Sequence, residues 1–185
     1  MSLSASSSLL HAFATTLYVM TGDGSLDDNK DGERETLVRF VAQFERLIPA
    51  STALSRVVDT LATTDDLFKH VMLVHEAHWS AQIGFDAEAI MHAFMGTSVR
   101  VPPAVWGPPL WQLLHALADG GGGGGDVRVA LKCLTVLLPC GVCRAGLIAW
   151  LTARTIEDDD DASALVIELH NHVNRKLGKK IRVLF

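Results

Sequence analysis

Two cysteines separated by two residues, Cys140-Gly141-Val142-Cys143, are the part of this chain best suited to chemistry. Residues three apart on a helical turn bring their Cα atoms within the roughly 4.4 to 6.8 Å that a disulfide spans, so the pair can close and reopen without strain. Pro139 favours a break just before them and so places the pair at a helix N-terminus, where free N–H groups and the helix dipole stabilise a thiolate. Such a thiolate attacks disulfides or electrophilic cofactors. Zinc is the competing chemistry. It needs two more ligands, and His170 with His172 is the obvious supply, but residues two apart on a helix point in different directions.

The cysteines are bracketed by two segments with a helical repeat. Upstream, Gly107, Trp111 and His115 recur at four-residue steps and share a face, offering a flat apolar wall, a close backbone approach and a polar group, and Pro108 suits the first helical turn. Downstream, His170, Val173, Asn174 and Leu177 fall on one side, with Asn171 at its edge and Lys179 just beyond the end. Polar and apolar groups mixed in this way are unusual for a plain core face.

Read in order, Gly107, Trp111, Leu114 and His115, then Pro139, Cys140 and Cys143, then His170, Asn171, Val173, Asn174, Leu177 and Lys179 match a three-block pattern. That pattern resembles the Erv/ALR family of FAD-dependent sulfhydryl oxidases, over the C-terminal half of the chain. The resemblance implies an all-α helical bundle that binds FAD through Gly107, Pro108, Trp111, His115, Cys143, His170, Asn171, Val173, Asn174, Leu177 and Lys179. It also implies a thiol-containing protein as substrate, Cys140 as the cysteine that exchanges with it, Cys143 as the flavin-proximal cysteine, and O2 as the electron acceptor, giving H2O2. Many members carry a further shuttle cysteine pair. Only Cys133 is left over here, so the expectation is a short member of the type that large DNA viruses encode, with the substrate reaching Cys140 directly. Leu138 stands where the family usually has an aromatic residue, and the chain ends soon after the last block, which bears on the adenine end of the cofactor. The alternative is a non-enzymatic helical interaction module whose CxxC binds zinc or acts as a redox-sensitive staple.

Composition fits either reading. With 185 residues, 49% of them apolar, the chain can bury one medium core or two small ones. A net charge of −5 without a basic stripe argues against nucleic acid or a membrane surface as the partner. The apolar stretch from Leu9 to Met20 has no preceding cation and no clear cleavage site, so it reads as a core helix and not a signal peptide, and the expected location is intracellular, in cytoplasm or virion. Cys133, among Leu131, Leu134 and Val136, reads as a buried apolar group.

Apolar residues at three- and four-residue steps predict helices over 6–20, 34–48, 50–62, 65–84, 87–95, 108–119, 126–138, 139–154 and 162–177, with a linker over 97–105. Gly120 to Gly125 predict a flexible connection, Asp158 to Asp161 a solvated acidic loop, and Gly178 a C-cap. Asp27 to Gly32 begins like a calcium loop but has Val38 where the closing carboxylate belongs. His75 and His78 beside Trp79 hint at a metal but read better as a remnant of a duplicated flavin helix.

A comparison of the two halves supports that duplication. Ser8 to Ala14 echoes Gln112 to Ala118, Leu47 to Ala53 echoes Leu137 to Cys143, and His78 to Gly84 echoes His172 to Gly178 in the same order. The first copy has Ala50 and Ala53 in place of both cysteines. The expected organisation is a cofactor-free helical half over 1–96 and an FAD-binding oxidase domain over 97–185. Because many Erv/ALR proteins dimerise, the two halves are expected to form a pseudo-dimer within one chain, with a homodimer as a further possibility.

Overall fold

The computed structural model describes residues 3–21, 32–48, 55–56, 103–120 and 123–181. Among these there are six helices and no strand: α1 Leu3–Thr21, α2 Glu33–Ala42, α3 Pro103–Asp119, α4 Gly124–Leu137, α5 Gly141–Thr152 and α6 Ala162–Lys176. The all-α expectation therefore holds across them. The helices predicted over 65–84 and 87–95, nearly all of the one over 50–62, His75, His78 and all of the calcium-like stretch except Gly32 lie outside the described residues.

Helix α1 is apolar on nearly every side, and its residues from Ala12 to Leu17 are all buried, with Leu10, Phe13, Leu17 and Met20 almost fully enclosed. Such a helix must be covered on several faces. Its principal neighbour is α3, and α2 packs against α4. Gln112 donates to Ser8 Oγ at 2.6 Å across the first pair. Arg46, just past the end of α2, bonds Asp126 at the start of α4 at 2.7 Å, and Arg39 acts electrostatically on Cys133, so α2 and α4 run antiparallel. Phe44 is fully buried with its ring 5.8 Å from Phe13 and 5.0 Å from Phe40, closing the junction between α1 and α2.

Three predicted boundaries are corrected. Helix α3 begins at Pro103 and not at Pro108, which absorbs the end of the expected linker. Pro103 takes the first turn, where a missing N–H costs nothing, while Pro108 and Pro109 lie inside the helix and each remove one rung of its ladder. Helix α2 ends at Ala42 and continues to Leu47 as turns, in which Gln43, Phe44 and Leu47 bond carbonyls three residues back. The glycine run is not wholly a connection: Gly124 and Gly125 are the first residues of α4, and Gly124 is buried. A Cβ at Gly124 would stand 2.7 Å from the Glu157 carbonyl and 2.8 Å from that of Asp160, so the absence of a side chain lets the acidic loop pass across the start of the helix.

That loop is exposed but engaged. Asp158 pairs with Arg128, Asp160 accepts from the Glu157 N–H at 2.9 Å, and Asp161 caps α6 by accepting from Ser163 and Ala164. Ser163 Oγ donates to Asp119 at 2.8 Å, tying the start of α6 to the end of α3. Gly178, at φ 65°, ends α6 as expected, with Lys179 N–H returning to the Asn174 carbonyl at 2.8 Å.

Candidate functional site

Cys140 is the N-cap of α5 and is joined to Cys143 by a disulfide with a Cα–Cα distance of 5.1 Å. Its Sγ accepts from the Cys143 N–H at 3.2 Å, so the sulfur occupies the place of a capping oxygen. On reduction, negative charge on that sulfur would face the free N–H groups of the first turn. Both cysteines are half-buried, and Val142 between them is 85% exposed. The extended backbone at Leu138 and Cys140 is the break that Pro139 was expected to make.

Helices α3 and α6 bring the flanking blocks together. The Trp111 and His170 rings are stacked, 4.1 Å apart and within 2° of parallel. His115 Nε2 lies 3.0 Å from His170 Nδ1, a hydrogen bond in which one ring donates and the other accepts. One turn beyond His170, Asn174 is buried although polar. Asn171 and Val173 are half-buried, while Leu177 and Lys179 are exposed at the end of the helix. At the start of α3, Pro108 is exposed and Gly107 half-buried, and a Cβ at Gly107 would meet nothing within 4 Å. Open space therefore adjoins the helix one turn before Trp111.

The disulfide is carried to the same end of the bundle. Lys176 Nζ lies 3.9 Å from where a Gly146 Cβ would stand, and Arg154 pairs with Glu168, so α5 and α6 run antiparallel with Cys143 toward the end of α6. Asp119 meets Ser163 while His115 meets His170, so α3 and α6 are antiparallel as well, with Gly107 toward that same end. Leu138 and Pro139 line a small apolar cleft with Trp106 and Leu110 of α3 and Thr16, Val19 and Met20 of α1.

A family model described as Erv1 / Alr family matches residues 108–183. The FAD-linked sulfhydryl oxidase of a Malawi tick isolate of African swine fever virus is 32% identical over 84 residues, covering 41% of this chain and 71% of the viral protein. The same enzyme of a Kenyan pig isolate is 29% identical over the same shares. The chain belongs to the Erv1/Alr family. No solved structure matches it.

Within this Erv1/Alr chain, the fold adds contributors that the sequence analysis did not single out. Trp106, next to Gly107, is 6% exposed and packs beside Pro139, supporting the turn that presents Cys140. Its signal was a second tryptophan beside the family glycine. Thr16, Val19 and Met20 carry no chemistry, and only the fold brings them under the same turn. His172, weighed in the sequence only as a zinc ligand, has its Nε2 covered and without a hydrogen-bond partner among the described residues. Desolvation, followed by Lys176 and Arg175, holds its pKa below the usual imidazole value. Cys133 is buried in α4 as expected, and burial pushes its thiol pKa up against the opposing effect of Arg39.

Proposed function

We propose that this protein is an FAD-linked sulfhydryl oxidase that forms disulfides in protein substrates. The observation that carries the reading is that a helix-capping CxxC disulfide, the Trp111–His170 stack and the open flank of Gly107 lie toward one end of α6 and of the two helices, α3 and α5, that run antiparallel to it. These residues fit FAD: the outer face of the Trp111–His170 stack offers a flat surface, the bare Gly107 leaves room for close approach, and the buried Asn174 amide, one turn beyond His170, can supply hydrogen bonds for a polar ring edge. Gly107, Pro108, Trp111, His115, Cys143, His170, Asn171, Val173, Asn174, Leu177 and Lys179 would hold the cofactor, which accepts two electrons from the dithiol and yields them to O2, giving H2O2.

The chain's own step is thiol–disulfide exchange. A substrate thiolate attacks Cys140 Sγ, the Cys140–Cys143 bond breaks, and Cys143 leaves as a thiolate. A second substrate thiolate attacks the substrate sulfur of the mixed disulfide, so the substrate leaves oxidised and Cys140 leaves as a thiolate at the α5 N-terminus. Both cysteines are then reduced, and the electron pair has passed from substrate to enzyme.

In this reading 1–96 is a cofactor-free half, of which the described helices α1 and α2 pack as parts of a partner subunit would, and 97–185 is the oxidase domain. Support comes from where the halves touch. Ser8 and Gln112 occupy matching positions in the two copies and bond each other, as residues on a two-fold axis do. The Arg46–Asp126 pair is centred on Val41 and Leu131, which also match when the Leu47–Leu137 correspondence is continued back along both helices.

The deciding experiment is the visible spectrum of the purified chain, followed by oxygen consumption with dithiothreitol. A yellow protein that consumes oxygen and forms peroxide is expected. Colourless, well-folded protein, or stoichiometric zinc that is lost in Cys140→Ser, would reject the reading in favour of a non-enzymatic module.

A further inference from the structure

The outward face of α5 is made of Gly141, Val142, Ala145, Ile148, Ala149 and Thr152, all exposed and none charged, in a chain of which 20% is charged. Val142 is 85% and Ile148 47% exposed, so the apolar side chains stand in water beside the disulfide. Cations border the face on both sides. Arg144 lies on one edge, with its guanidinium 3.3 Å from the Val136 carbonyl, and Lys176 lies beside Gly146 on the other. Lys179 and Lys180 are exposed beyond the end of α6, although the whole chain carries −5. At the far end Glu168 is paired with Arg154, and the exposed acidic loop 157–161 follows α5 beyond Thr152, so the cationic border belongs to the end that carries the disulfide.

Given the oxidase reading, on which this step rests, we infer that the outer face of α5 seats an extended, cysteine-bearing segment of the substrate polypeptide, with apolar residues next to the cysteine and acidic residues flanking them. Any thiol that attacks Cys140 brings its chain neighbours onto the first turn of α5. From Val142 to Ala149 the helix rises about 10 Å, which about three extended residues span. The face is too small for a lasting partner: a stable dimer covers about 800 Å² on each side, and four small side chains supply only a fraction of that. Brief contact with a short apolar segment suits a substrate that must leave after exchange. The cationic border, set against the negative charge of the whole, selects acidic flanks.

The test compares two reduced dicysteine peptides, one with leucine and valine beside the cysteines and glutamate outside, the other with serine throughout, using dithiothreitol as the small control and the full flavin-loaded chain as enzyme. The parent is expected to show a KM at least about fivefold lower for the apolar acidic peptide. Ile148→Asp, and Ala149→Glu as a second exposed change, should abolish that preference while leaving kcat with dithiothreitol within about twofold of the parent. Lys176→Glu should weaken only the advantage of the glutamate flanks. A parent that oxidises dithiothreitol without discriminating between the peptides overturns this inference alone; one that oxidises neither dithiothreitol nor peptide overturns the oxidase reading with it. Equal loss on dithiothreitol and peptide in both variants, or a halving of sedimenting mass in Ile148→Asp, also overturns it, since the face would then serve the disulfide itself or a second copy.

Discussion

Gly124 and Gly125 are neighbours in the first turn of α4, yet alanine is expected to act oppositely at the two positions. At Gly124 a Cβ would lie 2.7 Å and 2.8 Å from the backbone carbonyls of Glu157 and Asp160 and 3.1 Å from Asp160 Cβ, where ordinary contact begins near 3.4 Å. Neither carbonyl can swing away as a side chain would, so the loop or the helix start must shift by more than half an ångström. Overpacking costs about 1 to 3 kcal/mol, and two such close backbone contacts place it in the upper part of that range, about 2 to 3 kcal/mol, of which the better helix propensity of alanine returns about 1 kcal/mol. A net loss of about 1 to 2 kcal/mol follows. At Gly125 the nearest atom is the Asp158 carboxylate, 3.1 Å away on a side chain that can rotate, so the propensity gain prevails at about 0.5 to 1 kcal/mol. For a chain of this size 1 kcal/mol moves Tm by roughly 2 to 4 °C, so thermal unfolding followed by circular dichroism should place Gly124→Ala about 2 to 8 °C below the parent and Gly125→Ala level with it or slightly above. Equal behaviour of the two variants, or a Gly124→Ala protein as stable as the parent, would show that the loop does not rest on the helix start as described.

Other perturbations test the site and the junction between halves. Cys143→Ser should lower dithiol oxidation by about a hundredfold or more, measured as oxygen uptake, because exchange then stops without a leaving thiolate. Trp111→Ala removes the ring stacked on His170 and should reduce the flavin-to-protein ratio of the purified chain, while Trp111→Phe restores part of it. Phe44→Ala, at a fully buried ring between Phe13 and Phe40, should cost about 3 to 5 kcal/mol in urea denaturation, whereas Arg46→Ala, which breaks an exposed ion pair, should cost under about 1 kcal/mol. The lowered pKa of His172 means that the unfolded chain binds its proton first as pH falls through about 6.5, so stability drops there; His172→Gln should flatten that drop in denaturation curves recorded over the same range.

The described helices, and the places of the candidate residues on them, were legible in the sequence because each depends on near neighbours. The period of α6, the break at Pro139 and the C-cap at Gly178 are local matters of steric fit and hydrogen bonding, and they stand where expected. What a single segment could not reveal was contact between distant ones. Six glycines in a row read as a flexible joint, since their entropy opposes a helix, but the carbonyls of Glu157 and Asp160 press on Gly124 from more than thirty residues away and turn the absence of a side chain into a packing requirement. Pro108 read as a helix start for a similar reason. Burial of Trp106 against Leu138 and Pro139, together with α1, extends α3 backward past both prolines. The His115–His170 hydrogen bond was likewise hidden, because periodicity places each ring on a face without saying that the faces meet.

The cleft beneath Pro139 links the two halves to the chemistry. Thr16, Val19 and Met20 of α1 line it together with Trp106, Leu110 and Leu138, so the wall beneath the turn that presents Cys140 comes from both ends of the chain. Leu138 and Trp106 are nearly enclosed, and removing α1 would expose them beside the disulfide. The apolar side chains of α1 are buried accordingly, with Phe13, Leu17, Val19 and Met20 at 3% exposure or less. The N-terminal half is thus held to its shape by the turn it supports, and substitutions such as Met20→Asp should disturb thiol exchange at Cys140 from a helix that bears no reactive group.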